Sequence, residues 1–138
     1  NDPAIIARHP KFMSVNAALE VDFYGQVCAE SIGTRHISGT GGQSDYVRGA
    51  IQSEGGKSFI AFSSTAGGGE VSRIVPTLTP GACVSTSKND VDCIVTEYGI
   101  AKLRGKTLSQ RTKALIAIAH PKFRDGLTYQ AKKENIMI

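Results

Sequence analysis

The sequence ISGTGGQSDYVRGA, residues 37–50, brings four glycines, three of them within residues 39–42, together with an acid and an arginine between apolar flanks. Gly39, Gly41 and Gly42 can adopt backbone angles that side chains forbid, so backbone N–H groups can come close to a bound group. A helix is predicted from Gln43 through Gln52, and its first turn adds unpaired N–H donors and the positive end of a helix dipole. The pattern indicates a ligand-approach loop that runs into a helix. A glycine-rich turn before a surface helix is the alternative.

Length and composition indicate one folded domain. The 138 residues can bury a core and fall short of the length that usually gives two domains. Hydrophobic residues make up 41% and charged residues 20%, which excludes a disordered or fibrous chain. No apolar run approaches the roughly 18 residues that span a bilayer, and the first residues lack a signal-peptide pattern. We therefore expect a soluble, cytoplasmic protein without a membrane partner.

The charge of the chain is modest but uneven. Sixteen basic and twelve acidic residues leave +4, which is too small to predict a nucleic-acid partner. Nine of the basic residues lie within residues 102–133, where Asp125 is the single acid. This distribution favours a solvated face, with a phosphate-bearing ligand or an acidic partner surface as alternatives.

The three cysteines, Cys28, Cys83 and Cys93, form no CxxC pair and have no metal-ligand spacing with the histidines. They are predicted to be reduced, buried thiols, and the sequence predicts no metal site.

The rest of the chain predicts a mixed α/β fold. Runs rich in β-forming residues occur in the segments 12–32 (two runs joined by a turn near Gly25), 57–63, 71–78, 82–87 and 91–96. Pro76 favours a strand end, and a tight turn is predicted at residues 88–90. Two helices follow. The first is capped by Thr107 or Ser109, and the second runs from about Lys122 to Asn135 after the break at His120-Pro121.

Two further features mark candidate ligand positions. Glu97 follows the run 91–96, which places an acid at the carboxyl end of a strand, where open α/β sheets bind their ligands. A second glycine-rich loop, residues 64–69, follows the run 57–63.

Five segments together resemble the C-terminal domain of the acetyl-CoA hydrolase/transferase family: NAALEVDFYGQVCAESIG, SGTGGQSDYVRGA, STAGGGEVSRIVP, VTEYGIAKLRGKT and IAHPKFRDGL. The resemblance covers the chain in order, from about residue 1 to residue 127. It implies an α/β fold of the NagB/RpiA/CoA transferase-like type, a mixed sheet flanked by helices in a single domain spanning residues 1–138.

The resemblance implies an activity. Members of the family move coenzyme A, which is a substrate, from an acyl-CoA to a free short-chain carboxylate such as acetate or 4-hydroxybutyrate. They use a glutamate that forms an acyl-glutamyl anhydride and then a glutamyl-CoA thioester. A hydrolase of the same family, with water as the acceptor, and a non-catalytic acyl-CoA binding domain are the alternatives.

In the family pattern the nucleophilic glutamate precedes the segment that residues 1–3 resemble, and Glu20, Glu30 and Glu97 do not lie in its context. We therefore expect the chain to be the C-terminal part of a larger two-domain enzyme. It should be inactive alone, pair with an N-terminal domain and form a homo-oligomer.

The resemblance also implies site residues. Gly41, with Gly42 as the second choice, would offer a backbone N–H to the thioester oxyanion, a donor worth roughly 3–4 kcal/mol of barrier. Asn16 matches an active-site asparagine, and Glu97 matches an acid near the nucleophile. Their alternatives are a strand-interior hydrogen bond for Asn16 and pairing with a buried arginine for Glu97.

Further expectations concern the binding of coenzyme A and the residues that support the glycine loop. Ser64, Thr65 and Gly67 would border its pantetheine or phosphates, with Lys57 or Arg73 as a nearby cation, unless the second loop only connects strands. Separately, Asp45 and Arg48 would orient the glycine loop or pair with each other on the helix. The histidines His36 and His120 are expected to be structural.

Overall fold

The structure, a computed structural model, describes residues 1–137. Its helices are α1 Pro3–Ile6, α2 Gln43–Gln52, α3 Leu108–Ile118 and α4 Pro121–Lys133. Its strands are β1 Met13–Asn16, β2 Glu20–Asp22, β3 Val27–Cys28, β4 Ser31–Ile32, β5 Arg35–His36, β6 Lys57–Ala61, β7 Thr65–Ala66, β8 Val71–Ser72, β9 Ile74–Val75, β10 Cys93–Thr96 and β11 Gly99–Lys102. The predicted mixed α/β fold in a single domain is confirmed.

The largest sheet has the strand order β1-β6-β10-β11. Its first three strands are parallel, and β11 returns antiparallel to β10. The register places Asn16 opposite Ile60, and Val95 opposite Ala61. Because the three strands run in the same direction, their carboxyl ends meet at one edge of the sheet.

The two faces of this sheet differ in burial, since successive side chains point to opposite sides of a strand. On one face, Ile60 and Ile94 join Val47 of α2 and Leu115 of α3 in the hydrophobic core. On the other face, Val15 is 70% exposed and Ile100 is 63% exposed. The described helices therefore cover one face of the sheet.

The predicted hairpin near Gly25 is confirmed as β2 and β3, which pair with β9 in a three-stranded sheet. Asp22 closes its turn, because Oδ1 of its carboxylate accepts the N–H groups of Tyr24 and Gln26 at 3.0 and 2.9 Å. Gly25 has φ +86°, and a Cβ there would lie 2.9 Å from Leu103. The turn requires glycine for both reasons.

The helix predictions are confirmed with small shifts at the ends. Thr107 caps α3 through a capping box with Gln110. Helix α4 begins one residue early, at Pro121, with His120 as its N-cap. Within residues 1–137, no helix is both long enough and apolar enough to cross a membrane.

Several strand predictions need correction. The segment 82–87 is not a strand: Thr86 makes one isolated bridge to Val27, and the segment is otherwise irregular. Ser85 and Thr86 pair through their backbones with Val27, and their buried hydroxyls donate to side chains of other segments. The segment 71–78 is divided into β8 and β9, with Arg73 between them. Strand β11 was not predicted.

Candidate functional site

The carboxyl edge of the parallel strands gathers polar residues that the sequence had marked as site candidates. Asn16 ends β1 and is half-buried, and Ser64 lies three residues beyond the end of β6. Glu97 follows β10 directly, and with Tyr98 it forms the two-residue turn between β10 and β11. Because β6 lies between β1 and β10, the ends of β1 and β10 are two strand spacings, or about 10 Å, apart. The edge therefore brings Asn16, Ser64 and Glu97 to one side of the molecule.

Glu97 is exposed and Ser64 is fully buried, and the two side chains are bonded. The Ser64 N–H donates to the carboxylate at 2.9 Å (Oε2) and 3.2 Å (Oε1), and its hydroxyl donates to Oε1. The Ser64 hydroxyl is the main cause that lowers the pKa of Glu97, while partial burial opposes it. The Ser64 N–H and a backbone hydrogen bond of Glu97 itself lower this pKa further. Glu97 is thus held as a carboxylate.

Ser64 thereby takes the place of the buried arginine that was the alternative partner for Glu97. No direct signal in the sequence marks this pair, because 33 residues separate the two. Only the adjacency of β6 and β10 brings them together.

A cluster around Tyr98 was not predicted, because His120-Pro121 indicated only a helix break. The His120 ring meets the Tyr98 ring edge-on with centroids 5.5 Å apart, and Nδ1 of His120 accepts the Lys122 N–H. The Arg124 guanidinium carbon lies 5.4 Å from the centre of the Tyr98 ring, and its Nε donates to the Ala119 carbonyl at 2.9 Å. The start of α4 therefore supports the Glu97 turn.

The glycine loop, residues 37–42, is exposed apart from the half-buried Gly42. Gly41 has φ +58°, a left-handed conformation that favours glycine. In residues 1–137, the N–H groups of Gly39, Thr40 and Gly41 donate to no protein atom. Helix α2 has Gly42 as its N-cap and no side-chain cap, so its first N–H groups add further free donors.

Gln43 places this loop beside the end of β1. Its side-chain Nε2 donates to the Ala17 carbonyl at 2.7 Å, and Ala17 follows Asn16 in the chain. Its Oε1 accepts the Thr86 hydroxyl at 2.8 Å. The glycine loop and the strand ends thus lie at the same edge of the molecule.

The structure places the residues expected to bind coenzyme A in two separate parts of the molecule. Thr65 belongs to the small β7-β8 hairpin, and Gly67 begins an exposed 3-10 turn. The Arg73 N–H donates to the Ser64 carbonyl at 2.9 Å, so Arg73 lies next to this loop. Lys57 starts β6 at the opposite edge, four residues or roughly 13 Å from the strand's end. The expected nearness of Lys57 to this loop is wrong, because β6 carries the chain across the sheet between them.

Two other expectations also change. Arg48 pairs with Asp90 at 2.8 Å rather than with Asp45, and this exposed ion pair contributes little to stability. All three cysteines are free, but Cys83 is half-buried, whereas Cys28 and Cys93 are buried. Within the described part of the chain, no group of three or more histidine, cysteine or acidic side chains could hold a metal ion.

Comparison with known proteins adds to this geometry. A sequence model described as the acetyl-CoA hydrolase/transferase C-terminal domain matches residues 1–131. The chain is 56% identical over 133 residues to a 4-hydroxybutyrate coenzyme A transferase of Clostridium kluyveri, which covers 96% of the chain and 31% of the relative. It is 57% identical over 135 residues to a succinyl-CoA:cyclohexane-1-carboxylate CoA transferase of Geobacter metallireducens, with 98% and 31% covered. The chain thus spans about a third of the length of these relatives.

Among solved structures, RipA from Yersinia pestis superposes with a TM-score of 0.91 at 43% identity, over 99% of the chain and 30% of RipA.

Proposed function

The chain belongs to the acetyl-CoA hydrolase/transferase family, and from this we propose that it forms one side of the active site of a coenzyme A transferase. The enzyme would move coenzyme A from an acyl-CoA to a short-chain carboxylate such as acetate or 4-hydroxybutyrate. One observation carries the proposal: the unpaired N–H groups of the glycine loop lie at the sheet edge that also presents Asn16 and Glu97.

The loop suits the first chemical step. Attack on a thioester carbonyl moves negative charge onto its oxygen, and preorganised N–H donors stabilise that charge. We assign this role to Gly41, with Gly42 as a second donor and Asn16 as a polar neighbour. The attacking carboxylate would come from a part of the longer protein outside residues 1–138. The nucleophile would form the anhydride by expelling the coenzyme A thiolate. The thiolate would then attack the glutamyl carbonyl of the anhydride, which releases the first acyl group as a carboxylate and gives the glutamyl-CoA thioester.

Glu97 would act on the nucleophile through its charge. Two nearby carboxylates repel each other, so a fixed anion raises the energy of the ionised nucleophile. That repulsion is relieved when acylation removes the charge of the nucleophile. Ser64 supports this role because it holds Glu97 in its ionised form.

Coenzyme A would enter as a substrate along the second glycine loop. The exposed backbone at Gly67, with Thr65 and the neighbouring Arg73, could contact its pantetheine or phosphates. Ser64, which is fully buried, would lie beneath this path and hold Glu97 without contacting coenzyme A. Lys57, at the other edge of the sheet, is left out of this binding path.

We further propose that the rest of the longer protein, including an N-terminal domain, covers the open face of the sheet. Parallel sheets are normally buried on both faces, yet Met13, Val15 and Ile100 are 49%, 70% and 63% exposed. A groove of about 610 Å³ on this face is rimmed by cations that include Lys57 and Lys102. The occupant should therefore be an apolar segment with acidic residues at that end. If the rest of the longer protein did not cover it, the same face would promote the formation of homo-oligomers.

The three free thiols support a reducing, cytoplasmic setting.

The longer protein provides the test. Incubated with acetyl-CoA and butyrate or 4-hydroxybutyrate, it should form the new acyl-CoA only when the acceptor is present. If acetyl-CoA is lost at the same rate with and without the acceptor, the enzyme is the hydrolase instead. Absence of both reactions would refute the proposal. The 138-residue chain alone should give no turnover above the blank, since it lacks the proposed nucleophile.

A further inference from the structure

Glu30 contacts the glycine loop at three places, although it lies outside the site described above. Its carboxylate accepts the Thr40 hydroxyl at 3.1 Å. Its backbone carbonyl accepts the N–H groups of Ile37 at 2.7 Å and Ser38 at 3.2 Å. Residues 37, 38 and 40 are thereby tied to one residue, and the next residue is Gly41.

The burial of Glu30 indicates that these bonds are specific. The residue is 7% exposed, and a buried carboxylate is costly unless its oxygens are hydrogen-bonded. Oε1 bonds to Thr40, and Oε2 accepts the Ser85 hydroxyl at 2.6 Å. The Ser85 oxygen in turn accepts the Ala29 N–H at 2.9 Å, which directs its own proton toward Glu30. Both carboxylate oxygens therefore have fixed donors.

The loop has few other restraints. It is almost wholly exposed, and its glycines could adopt many conformations. Gln43 holds its far end, through Ala17 and Thr86. In the described chain, residues 39–42 make one hydrogen bond to the core, in which the Thr40 hydroxyl donates to Glu30. The bond restrains Thr40, whose carbonyl group forms one peptide unit with the Gly41 N–H.

We infer that Glu30 is a positioning residue, which sets the direction of the Gly41 N–H by holding Thr40 and the start of the loop. The expected effect on the catalytic rate rests on the proposed function, whereas the hydrogen bonds from the loop to Glu30 do not. An oxyanion donor must point at the place where charge develops, and small misplacements of catalytic groups reduce rates steeply. Loss of the tether should therefore slow the chemical step more than it weakens substrate binding.

The test uses the longer enzyme with matched threonine variants. Thr40→Val removes the hydroxyl at constant shape, and Thr40→Ser keeps a hydroxyl. Thr79→Val is the control, because Thr79 is also exposed and its hydroxyl also bonds to a glutamate, Glu20, at 3.0 Å. Glu30→Gln weakens the same tether from the other side, because one of its two acceptor oxygens becomes an NH2 donor and a single oxygen remains for the hydroxyls of Thr40 and Ser85.

Thr40→Val and Glu30→Gln should lower kcat by about tenfold or more, with KM for acyl-CoA changed by less than about threefold. Thr40→Ser should recover most of the rate, and Thr79→Val should match wild type. The backbone carbonyl that accepts the Ile37 and Ser38 N–H groups remains in Glu30→Gln, but the side chain that anchors it is more weakly held. Hydrogen exchange at Ile37 and Ser38, measured by mass spectrometry, should therefore be faster in Glu30→Gln and unchanged in Thr79→Val.

Unchanged kcat in Thr40→Val, or an equal loss in Thr79→Val, would overturn the inference while the transferase activity of wild type stood. An inactive wild-type enzyme would instead remove the proposed function. In that case the exchange measurement alone would decide whether Glu30 holds the loop, and exchange as slow as in wild type would refute it.

Discussion

Ser64 donates both its backbone N–H and its hydroxyl to the carboxylate of Glu97. The donor is fully buried on the loop after β6, and the acceptor is exposed in the turn after β10. These two strands are parallel neighbours, so their carboxyl ends deliver the two residues to the same place. The bond holds an exposed acid in one orientation and in one ionisation state.

Replacing Ser64 with alanine should raise the pKa of Glu97 toward the ordinary value near 4.5, because the hydroxyl is the main cause of its depression. A carbon-detected NMR titration of the Glu97 carboxylate measures this directly. Ser63→Ala is the control, since Ser63 is the exposed neighbour. An identical Glu97 titration in Ser64→Ala and wild type would contradict the assignment.

The same bond makes stability depend on pH. A carboxyl group whose pKa is lowered by folding adds stability above its unfolded pKa, and this is lost as pH falls through the folded pKa. The free energies of unfolding of wild type and Ser64→Ala should therefore differ more at pH 7 than at pH 3. Urea titrations at both pH values measure this difference.

Two helical glycines should respond oppositely to alanine. A Cβ at Gly49 of α2 would lie 2.5 Å from Cβ and Cγ2 of Ile6, whereas Gly126 of α4 has open space around it. Gly49→Ala should cost about 1–3 kcal/mol of stability through overpacking between α1 and α2. Gly126→Ala should add about 0.5–1 kcal/mol, since alanine favours the helix. Chemical denaturation tests the pair, and stabilisation by Gly49→Ala would show that α1 is not held against α2.

Local signals predicted much of this fold. The turn at Gly25, the helix cap at Thr107 or Ser109 and the break at Pro121 each depend on a few neighbouring residues. The structure has the turn and the break, and it places the cap at Thr107. Strand β11 was not predicted because only two residues, Glu97 and Tyr98, separate it from β10, and no loop sequence marks the end of one strand and the start of the next. The segment 82–87 was predicted as a strand from its composition, but tertiary contacts decide its conformation.

Features of the candidate site that lie within one segment could be predicted from the sequence. Contacts between distant segments, which depend on the fold, could not. The glycine loop and the strand-end position of Glu97 could be found in the sequence. The partner of Glu97 depends on strand order, which composition does not encode. The same holds for Glu30, whose bond to Thr40 spans ten residues and needs Ser85 from a distant segment.

The thiols provide a test of the core. Thiol titration of the unfolded, unreduced protein should find three, and a count of one would reveal a disulfide. In the native chain the half-buried Cys83 should react first. Burial, with the charge of Asp92, raises the pKa of Cys93, which slows its reaction further. Faster reaction of Cys93 than of Cys83 would show that the Cys93 thiol is more accessible than its burial indicates.

Glu97→Ala in the longer enzyme separates an electrostatic role from a structural one. If Glu97 repels the nucleophile, its removal should lower the pKa of that carboxylate and shift the acidic limb of the kcat/KM profile to lower pH. The profile from about pH 4 to 9 measures the shift. Lower thermal stability with the wild-type profile would identify Glu97 as a structural residue.

Gly41→Val in the longer enzyme tests the proposed oxyanion donor. Gly41 has φ +58°, and a Cβ added there would meet no atom within 4 Å, so the substitution causes backbone strain and no clash. The strain should turn the N–H away from the developing oxyanion, whereas the neutral carbonyl of the bound substrate depends on it less. We expect kcat to fall by about a hundredfold or more, with a smaller change in acyl-CoA affinity. Gly39→Ala is the control, because Gly39 also lies in open space but outside the left-handed region. A variant that kept its rate and lost only affinity would make the loop a binding edge.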